Sequence, residues 1–308
     1  MTGTTLAVLF PGQGSQIVGM AMEISRNVPE AAAIFDLASE TLGLDSRKLC
    51  WELGPNALRQ TENAQPALVI SALACWYAFR ARIDFPLAPN SVFGGHSLGS
   101  LTAAAAAGYL STRDAICLAR ERGRLMASVP GEGAMLAVSL PPQNDLELQI
   151  SAATELAQRY QLDVAAFNGP RQVVLSGPST RVRKASASIG SASKELSVSH
   201  AFHSRLMAPI ASEWADHLAS RSWLPGDHIY LPNGTMSATQ DVAIVRRDLG
   251  ESLFSPVYWN RVLSQIPSHA HIVIPGSGKA LERLLRGVDS VRVSTVDSLR
   301  SLARAVAA

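Results

Sequence analysis

The sequence predicts an α/β protein, a mostly parallel sheet covered by helices with a smaller β-α-β-β-α-β unit inserted into it. Short continuous apolar runs alternate with stretches of helical periodicity over the 308 residues, the pattern of strands buried on both faces. The middle of the chain breaks that alternation with four strand-like runs around two helical ones. A serine also stands between glycines in "GGHSLG", Gly94–Gly99, where a strand gives way to a helix.

Taken in order, "TLAVLF" (5–10) is the first strand and ends at "PGQGSQ"; "SVFG" (91–94) is the second and ends at the serine turn. "HIYLPN" (228–233), "HIVIPG" (271–276) and "VRVSTV" (291–296) are the later strands of the same sheet. Functional groups are expected where such strands end. Between them, "GAMLAVSL", a helix around "DLELQISAATELAQRY", "LDVAAFN", "RQVVLSGP", a basic helix "STRVRKASASIG" and "KELSVSHAFH" spell the inserted unit. That order is ferredoxin-like. It gives a small subdomain over 131–199, with its hairpin turn at Phe167–Pro170, and a larger domain made of 1–130 and 200–308.

Composition narrows the function. With 47% hydrophobic and 17% charged residues and a net charge of +2, the chain is ordinary globular material. The charge is too mild to argue for a nucleic-acid partner. Cys50, Cys75 and Cys117 lie far apart, without metal-type spacing, and read as thiols of a reducing compartment. "MTGTTLAVLFPG" lacks the basic start and long apolar run of a signal peptide, and "LTAAAAAGYL" is too short to span a bilayer. The expectation is a monomeric cytoplasmic protein with no membrane or nucleic-acid partner, no metal and no bound cofactor.

G-x-S-x-G between strand and helix is the nucleophile-elbow pattern of α/β-hydrolase-like sheets, in which small neighbours let the backbone turn sharply and lift the hydroxyl out at the helix N-terminus. The competing reading is a tight strand–helix turn without chemistry. An elbow at Ser97 takes one oxyanion-hole N–H from Leu98 and needs a second from another loop. The glycine-flanked "FPGQGSQ", Phe10–Gln16, can supply it through Gln13. "GQGSQ" does not fit the dinucleotide G-x-G-x-x-G fingerprint, and "PGSGKA" (275–280) lacks the first glycine and the final Ser/Thr of a P-loop.

"FPGQGSQ" and "GHSLG" at this separation resemble malonyl-CoA:acyl carrier protein transacylases, including the discrete acyltransferases of polyketide synthesis. The resemblance runs over nearly the whole chain through "NAQPAL" (63–68), "RGRLM" (122–126), "FNGPRQVVLSG" (167–177), "HAFHS" (200–204) and "SPVYW" (255–259). One departure is Ser100, where relatives commonly carry glutamate.

Serine needs a base, and histidine is the usual one near neutral pH. His96 adjoins Ser97 and reads as packing or structural; His217, His228, His269 and His271 are scattered. His200 and His203 both follow a strand and precede a helix, and spacing does not separate them. The resemblance implies His203. It also implies that the imidazole is oriented by a backbone carbonyl, at Ser252, so that a Ser–His dyad needs no aspartate. "STRDAICLARERGRLMASV" (111–129) reads as a helix whose apolar stripe holds Ala115, Leu118, Ala119, Arg122 and Met126, while Arg113, Arg120 and Arg124 form a charged stripe. From periodicity, Arg122 snorkels to solvent or pairs with a nearby carboxylate. The resemblance implies instead that it binds the free carboxylate of a malonyl group, with Phe202, Asn168, Gln65 and His96 beside the acyl pocket. Phe202 in "HAFH" then disfavours an α-methyl branch.

The implied reaction moves malonyl from malonyl-CoA to Ser97 and on to the phosphopantetheine thiol of an acyl carrier protein, in fatty acid or polyketide biosynthesis. The alternatives are hydrolysis of an acyl group from the carrier, transfer of another acyl unit, and a dead carrier-binding scaffold. Carriers are acidic, so a basic patch should face them; Arg181, Arg183 and Lys184 on the basic helix, with Lys194 nearby, are the candidates against a merely solvated helix face.

Overall fold

The computed structural model describes residues 3–142, 145–285 and 292–308. Nine strands are present among them: β1 Leu6–Phe10, β2 Val92–Gly95, β3 Gly133–Ser139, β4 Asp163–Phe167, β5 Gln172–Pro178, β6 Ser193–Glu195, β7 Ile229–Leu231, β8 His271–Pro275 and β9 Val293–Val296. Val291, the first residue of the expected run "VRVSTV", lies outside the described residues.

Five strands form a sheet in the order β7-β2-β1-β8-β9, and every pairing in it is parallel. β1, β2 and β8 are buried along their whole length, as expected of apolar runs that meet helices on both faces. The chain leaves β1 for β2 and β7 on one side and later returns for β8 and β9 on the other. β1 is therefore the point where strand order reverses, and the crevice beyond the carboxyl ends of β1 and β2 is the natural ligand site. The helix Thr61–Arg80 is apolar on nearly all sides and drives Trp76 against Phe10 and Phe93, at ring separations of 6.5 and 5.3 Å.

The remaining strands make a separate antiparallel sheet in the order β4-β5-β3-β6. Alternation along β3 sends Leu136 and Val138 to one face, where they meet Ala153 and Ala157 of helix Leu146–Tyr160 and Val182 and Ala185 of helix Ser179–Ile189. Met135, Ala137 and Ser139 point the other way, into a cleft against the large sheet. Burying each such Leu, Val or Phe contributes roughly 1.5–3 kcal/mol. The fourth strand is shorter than the sequence implied: it stops at Glu195, so 200–203 lie in a loop. The chain leaves the sheet there to cross over Gly133, where a Cβ would stand 2.2 Å from the nitrogen of Ala201. Among the described residues no helix is long and apolar enough to cross a membrane.

Candidate active site

The elbow is built from backbone contacts that only glycine permits. A Cβ at Gly95 would sit 2.1 Å from the carbonyl carbon of Gly99, and one at Gly99 would sit 2.1 Å from the carbonyl oxygen of Phe10. The flanking glycines thus let the chain fold back on itself and press against the end of β1. Gly12 repeats the device from the other loop, where a Cβ would meet the His96 oxygen at 2.4 Å. His96 N–H donates to the Phe10 carbonyl at 3.1 Å and ties the two loops together. Between them Ser97 takes φ 52°, ψ −108°, a backbone state costing about 1–3 kcal/mol that persists only when its surroundings enforce it.

Ser97 Oγ lies 2.7 Å from His203 Nε2. The other ring nitrogen, Nδ1, is 3.0 Å from the carbonyl oxygen of Ser255. A carbonyl can only accept, so Nδ1 carries the proton and Nε2 offers its lone pair to the serine hydroxyl. Here the structure corrects the expected carbonyl at Ser252. Ser252 caps the helix Val242–Glu251 in the αR conformation and its hydroxyl donates to Leu249 O, so its own carbonyl runs along the helix axis. The imidazole-facing carbonyl comes three residues later, after the chain has turned. Leu253 O first accepts the His203 N–H at 3.1 Å, and Val257 then bridges to β4 through Val257 N–H to Ala165 O at 2.9 Å and Phe167 N–H to Val257 O at 2.8 Å. The small sheet thereby holds the segment that orients the histidine. His200 is partly exposed and stacks on Phe202 at 5.9 Å. It does not reach Ser97.

Arg122 is 2% exposed, and among the described residues no carboxylate lies within ion-pair distance of it. It neither snorkels nor pairs, unlike Arg113 and Arg124, which bond Glu40 and Glu121. Its Nη1 donates to Gln65 Oε1 at 2.9 Å, and its Nη2 stands 3.4 Å from Ser97 Oγ. Gln65 donates in turn to Thr61 Oγ1 at 3.0 Å, and Thr61 donates to Gln13 Oε1 at 2.8 Å. This chain of bonds links the arginine to the glycine-rich loop. Gly123 makes it possible, since a Cβ there would lie 2.8 Å from the Thr61 carbonyl and push the two helices apart. Gln65 is fully buried and anchors the guanidinium. Burial lowers the Arg122 pKa to about 10, so it remains a cation at neutral pH. Burial, and then the Arg122 charge, lowers the His203 pKa to about 3; the imidazole is neutral wherever the enzyme would work.

Ser97, His203, His96, Asn168, Phe202 and Gln13 line one cleft of about 590 Å³ between the two sheets. His96 Nε2 bonds Asn168 Oδ1 at 2.8 Å, and Asn168 Nδ2 donates to Gln172 Oε1 at 3.0 Å. His96 therefore has a local partner and lies against Trp259 at 5.5 Å. The N–H groups of Gln13 and Leu98 meet no protein acceptor among the described residues. Of the expected basic patch, Lys194 lines the cleft, while Arg181, Arg183 and Lys184 are exposed on a helix that covers the opposite face of the small sheet. The structure does not bring those three to the serine. Ser100 is fully buried, and its hydroxyl donates to Ser97 O at 2.6 Å. Sequence reasoning missed Asn233, whose Oδ1 accepts the Ser97 N–H at 2.8 Å. The available signal was "LPNG" ending a strand parallel to the one that carries the serine. Among the described residues no group of three or more His, Cys, Asp or Glu side chains is placed to hold a metal.

The acyl transferase domain family matches residues 8–242. A malonyl CoA-acyl carrier protein transacylase of Bacillus subtilis is 35% identical over 299 residues, 94% of this chain and 92% of its own. The crystal structure of FabD from Acinetobacter baumannii superposes with a TM-score of 0.88 at 29% identity, covering 99% of this chain and 98% of that one. A malonyl-transacylase solved in complex with its type II polyketide acyl-carrier protein superposes with a TM-score of 0.87 at 28% identity, covering 99% of each chain. With the elbow, the paired histidine and the length of these matches in agreement, the chain belongs to the acyl transferase family and, within it, to the malonyl-CoA:acyl carrier protein transacylases.

Proposed function

We propose that this protein accepts malonyl from malonyl-CoA on Ser97 and passes it to the phosphopantetheine thiol of an acyl carrier protein, in fatty acid or polyketide biosynthesis. The observation that carries this reading is the buried guanidinium of Arg122, which has no carboxylate at ion-pair distance among the described residues and stands 3.4 Å from Ser97 Oγ. An unpaired interior cation is costly and calls for an anion, and malonyl brings a free carboxylate to that spot. The planar fork of N–H donors meets it bidentately and fixes the direction of the acyl chain.

In the first half-reaction, Ser97 Oγ attacks the thioester carbonyl while its proton passes to His203 Nε2. The oxyanion is received by the free N–H groups of Gln13 and Leu98. Collapse expels the CoA thiolate, which takes the proton from His203. The carrier thiol then repeats the sequence in reverse, with Nε2 again taking the proton. One thioester replaces another, so no ATP, metal or bound cofactor enters this scheme. We place the chain in the cytoplasm as a monomer, divided into a catalytic domain of 1–130 with 200–308 and a small domain of 131–199. The antiparallel order β4-β5-β3-β6, with both helices on one face, supports a ferredoxin-like description of the latter.

Labelling with radiolabelled malonyl-CoA tests the reading. The label is expected on Ser97, stable in buffer and discharged on addition of holo carrier protein. Rapid loss to buffer alone identifies a hydrolase, and absence of label a scaffold. For the carrier, Lys194 and Arg283 are the basic groups lining the cleft. Lys194→Glu is expected to raise the carrier KM several-fold without altering self-acylation, and Arg181→Glu with Arg183→Glu to raise it less. The opposite ranking of the two variants would move the docking surface to the helix.

A further inference from the structure

We propose that Asn233 and Asp248 are positioning residues that pin the backbone leading into Ser97 and so set the direction of its hydroxyl. β7 pairs with β2 in the register Val92↔Ile229, Phe93↔Tyr230, Gly94↔Leu231. The backbone ladder stops there, three residues short of the nucleophile. The side chain of Asn233 continues it. Its Oδ1 accepts the Ser97 N–H at 2.8 Å and its Nδ2 donates to Gly95 O at 2.7 Å, so one planar amide spans the turn as a further peptide unit would.

Asn233 is itself held from behind. Its N–H donates to Asp248 Oδ2 at 3.1 Å and its carbonyl accepts the Tyr258 N–H at 2.8 Å. Asp248 also accepts from Gly234 N–H at 2.9 Å and from Tyr230 OH at 2.7 Å. It is a carboxylate 3% exposed, and among the described residues no cation forms an ion pair with it. A buried acid without a counter-ion is expensive, and each of its donors belongs to the strand and turn that present Asn233. Burial raises its pKa while the three donors oppose the rise. Ser100 completes the restraint from the other side through its bond to Ser97 O. The Ser97 N–H is thereby committed to Asn233, which leaves the Leu98 and Gln13 amides to face the cleft.

The inference rests on Ser97 being the nucleophile, and its test separates the two ideas. Acylation of Ser97 by malonyl-CoA is followed in single turnovers by intact mass, alongside donor KM, thermal midpoint and sulfonylation by phenylmethanesulfonyl fluoride, which needs neither CoA nor Arg122. Asn233→Ala is expected to slow both reactions by on the order of 10²-fold, as an ångström-scale misplacement of a reacting atom does, with donor KM changed less than about twofold. Asp248→Asn, acting through Asn233, is expected to slow them by a smaller factor with KM likewise unchanged, and the double variant to be no slower than Asn233→Ala. Should Asn233→Ala fail to fold, Asp248→Asn carries the same comparison at nearly unchanged side-chain volume. A folded Asn233→Ala enzyme reacting at the wild-type rate, a loss confined to KM, or losses that add in the double variant would overturn the proposal. Wild-type protein inert to malonyl-CoA but sulfonylated on Ser97 would sink the malonyl-transfer reading alone, because the sulfonylation rates still report on the clamp.

Discussion

Ser97→Ala is expected to leave no covalent adduct with malonyl-CoA and to cut transfer by at least about 10⁴-fold, the scale on which removal of an activated serine acts. His203→Ala, which leaves the hydroxyl in place, is expected to slow adduct formation by roughly 10²–10⁴-fold, the contribution of a positioned general base. The two losses should not add, because one hydrogen bond of 2.7 Å joins the groups into a single device. The acid limb of the profile is the more specific check. An ordinary histidine is half protonated near pH 6.5, and a base titrating there would lose its acceptor lone pair as pH falls below that value. Burial and the Arg122 charge carry His203 down to about 3, so its working form, the neutral one, persists to much lower pH. The kcat/KM for acylation, which reports the free enzyme, should therefore stay level between about pH 8 and 5. A limb breaking near 6.5 would mean that the imidazole is not in this buried site. Once malonyl is bound, its carboxylate neutralises Arg122 and relieves part of that depression, so the limb in kcat should lie higher than the limb in kcat/KM.

Arg122→Ala is expected to lower kcat/KM for malonyl-CoA by about 10²–10⁴-fold, the equivalent of losing one partner of a desolvated ion pair at on the order of 3–5 kcal/mol. Acetyl-CoA should be used as well as before or better. An uncharged acyl group gains nothing from the cation and is hindered by a guanidinium that fills the space beside Ser97 Oγ at 3.4 Å. Lysine is a poor replacement here, because Gln65 Oε1 holds one nitrogen of the fork at 2.9 Å while the other faces Ser97 Oγ and the substrate. Competition between the two donors, read as the ratio of their kcat/KM values, measures the effect directly. An undiminished preference for malonyl in the alanine variant would remove Arg122 from its role. Phe202, buried on the cleft wall, should add only a partial bias against branched acyl groups, since one methyl is worth ~1–3 kcal/mol in such a pocket.

How far the site could be read from residues alone depended on the span of each contact. The elbow was legible because its decisive clashes, Gly95 against Gly99 and Gly99 against Phe10, are met by residue types that admit no substitute. The base was not legible from spacing, since His200 and His203 differ by three residues and the partner lies 106 residues away. The carbonyl that orients it was assigned three residues too early, because a main-chain acceptor leaves no side-chain signature. Asn233 and Asp248 escaped for a related reason. An Asn after a strand and an Asp in a helix are individually unremarked, and only the register of β7 on β2 brings the first to the elbow and the second behind it. For Asp248 the hint was a carboxylate beside the buried Val245 and Leu249.

By itself the sequence determined the alternation that makes a parallel sheet, the glycine spacing that turns a strand sharply into a helix, and the family to which these belong. Each depends on hydrophobic period or on steric limits within a few residues, and both are written locally. Local pattern left the histidine open and only the resemblance pointed to His203; the tertiary structure supplied that contact, an Arg122 with no carboxylate at ion-pair distance among the described residues, and a basic helix on the far face of the small sheet. Those outcomes are distances between segments far apart in the chain, set by how two sheets and their helices pack, and no local preference encodes them.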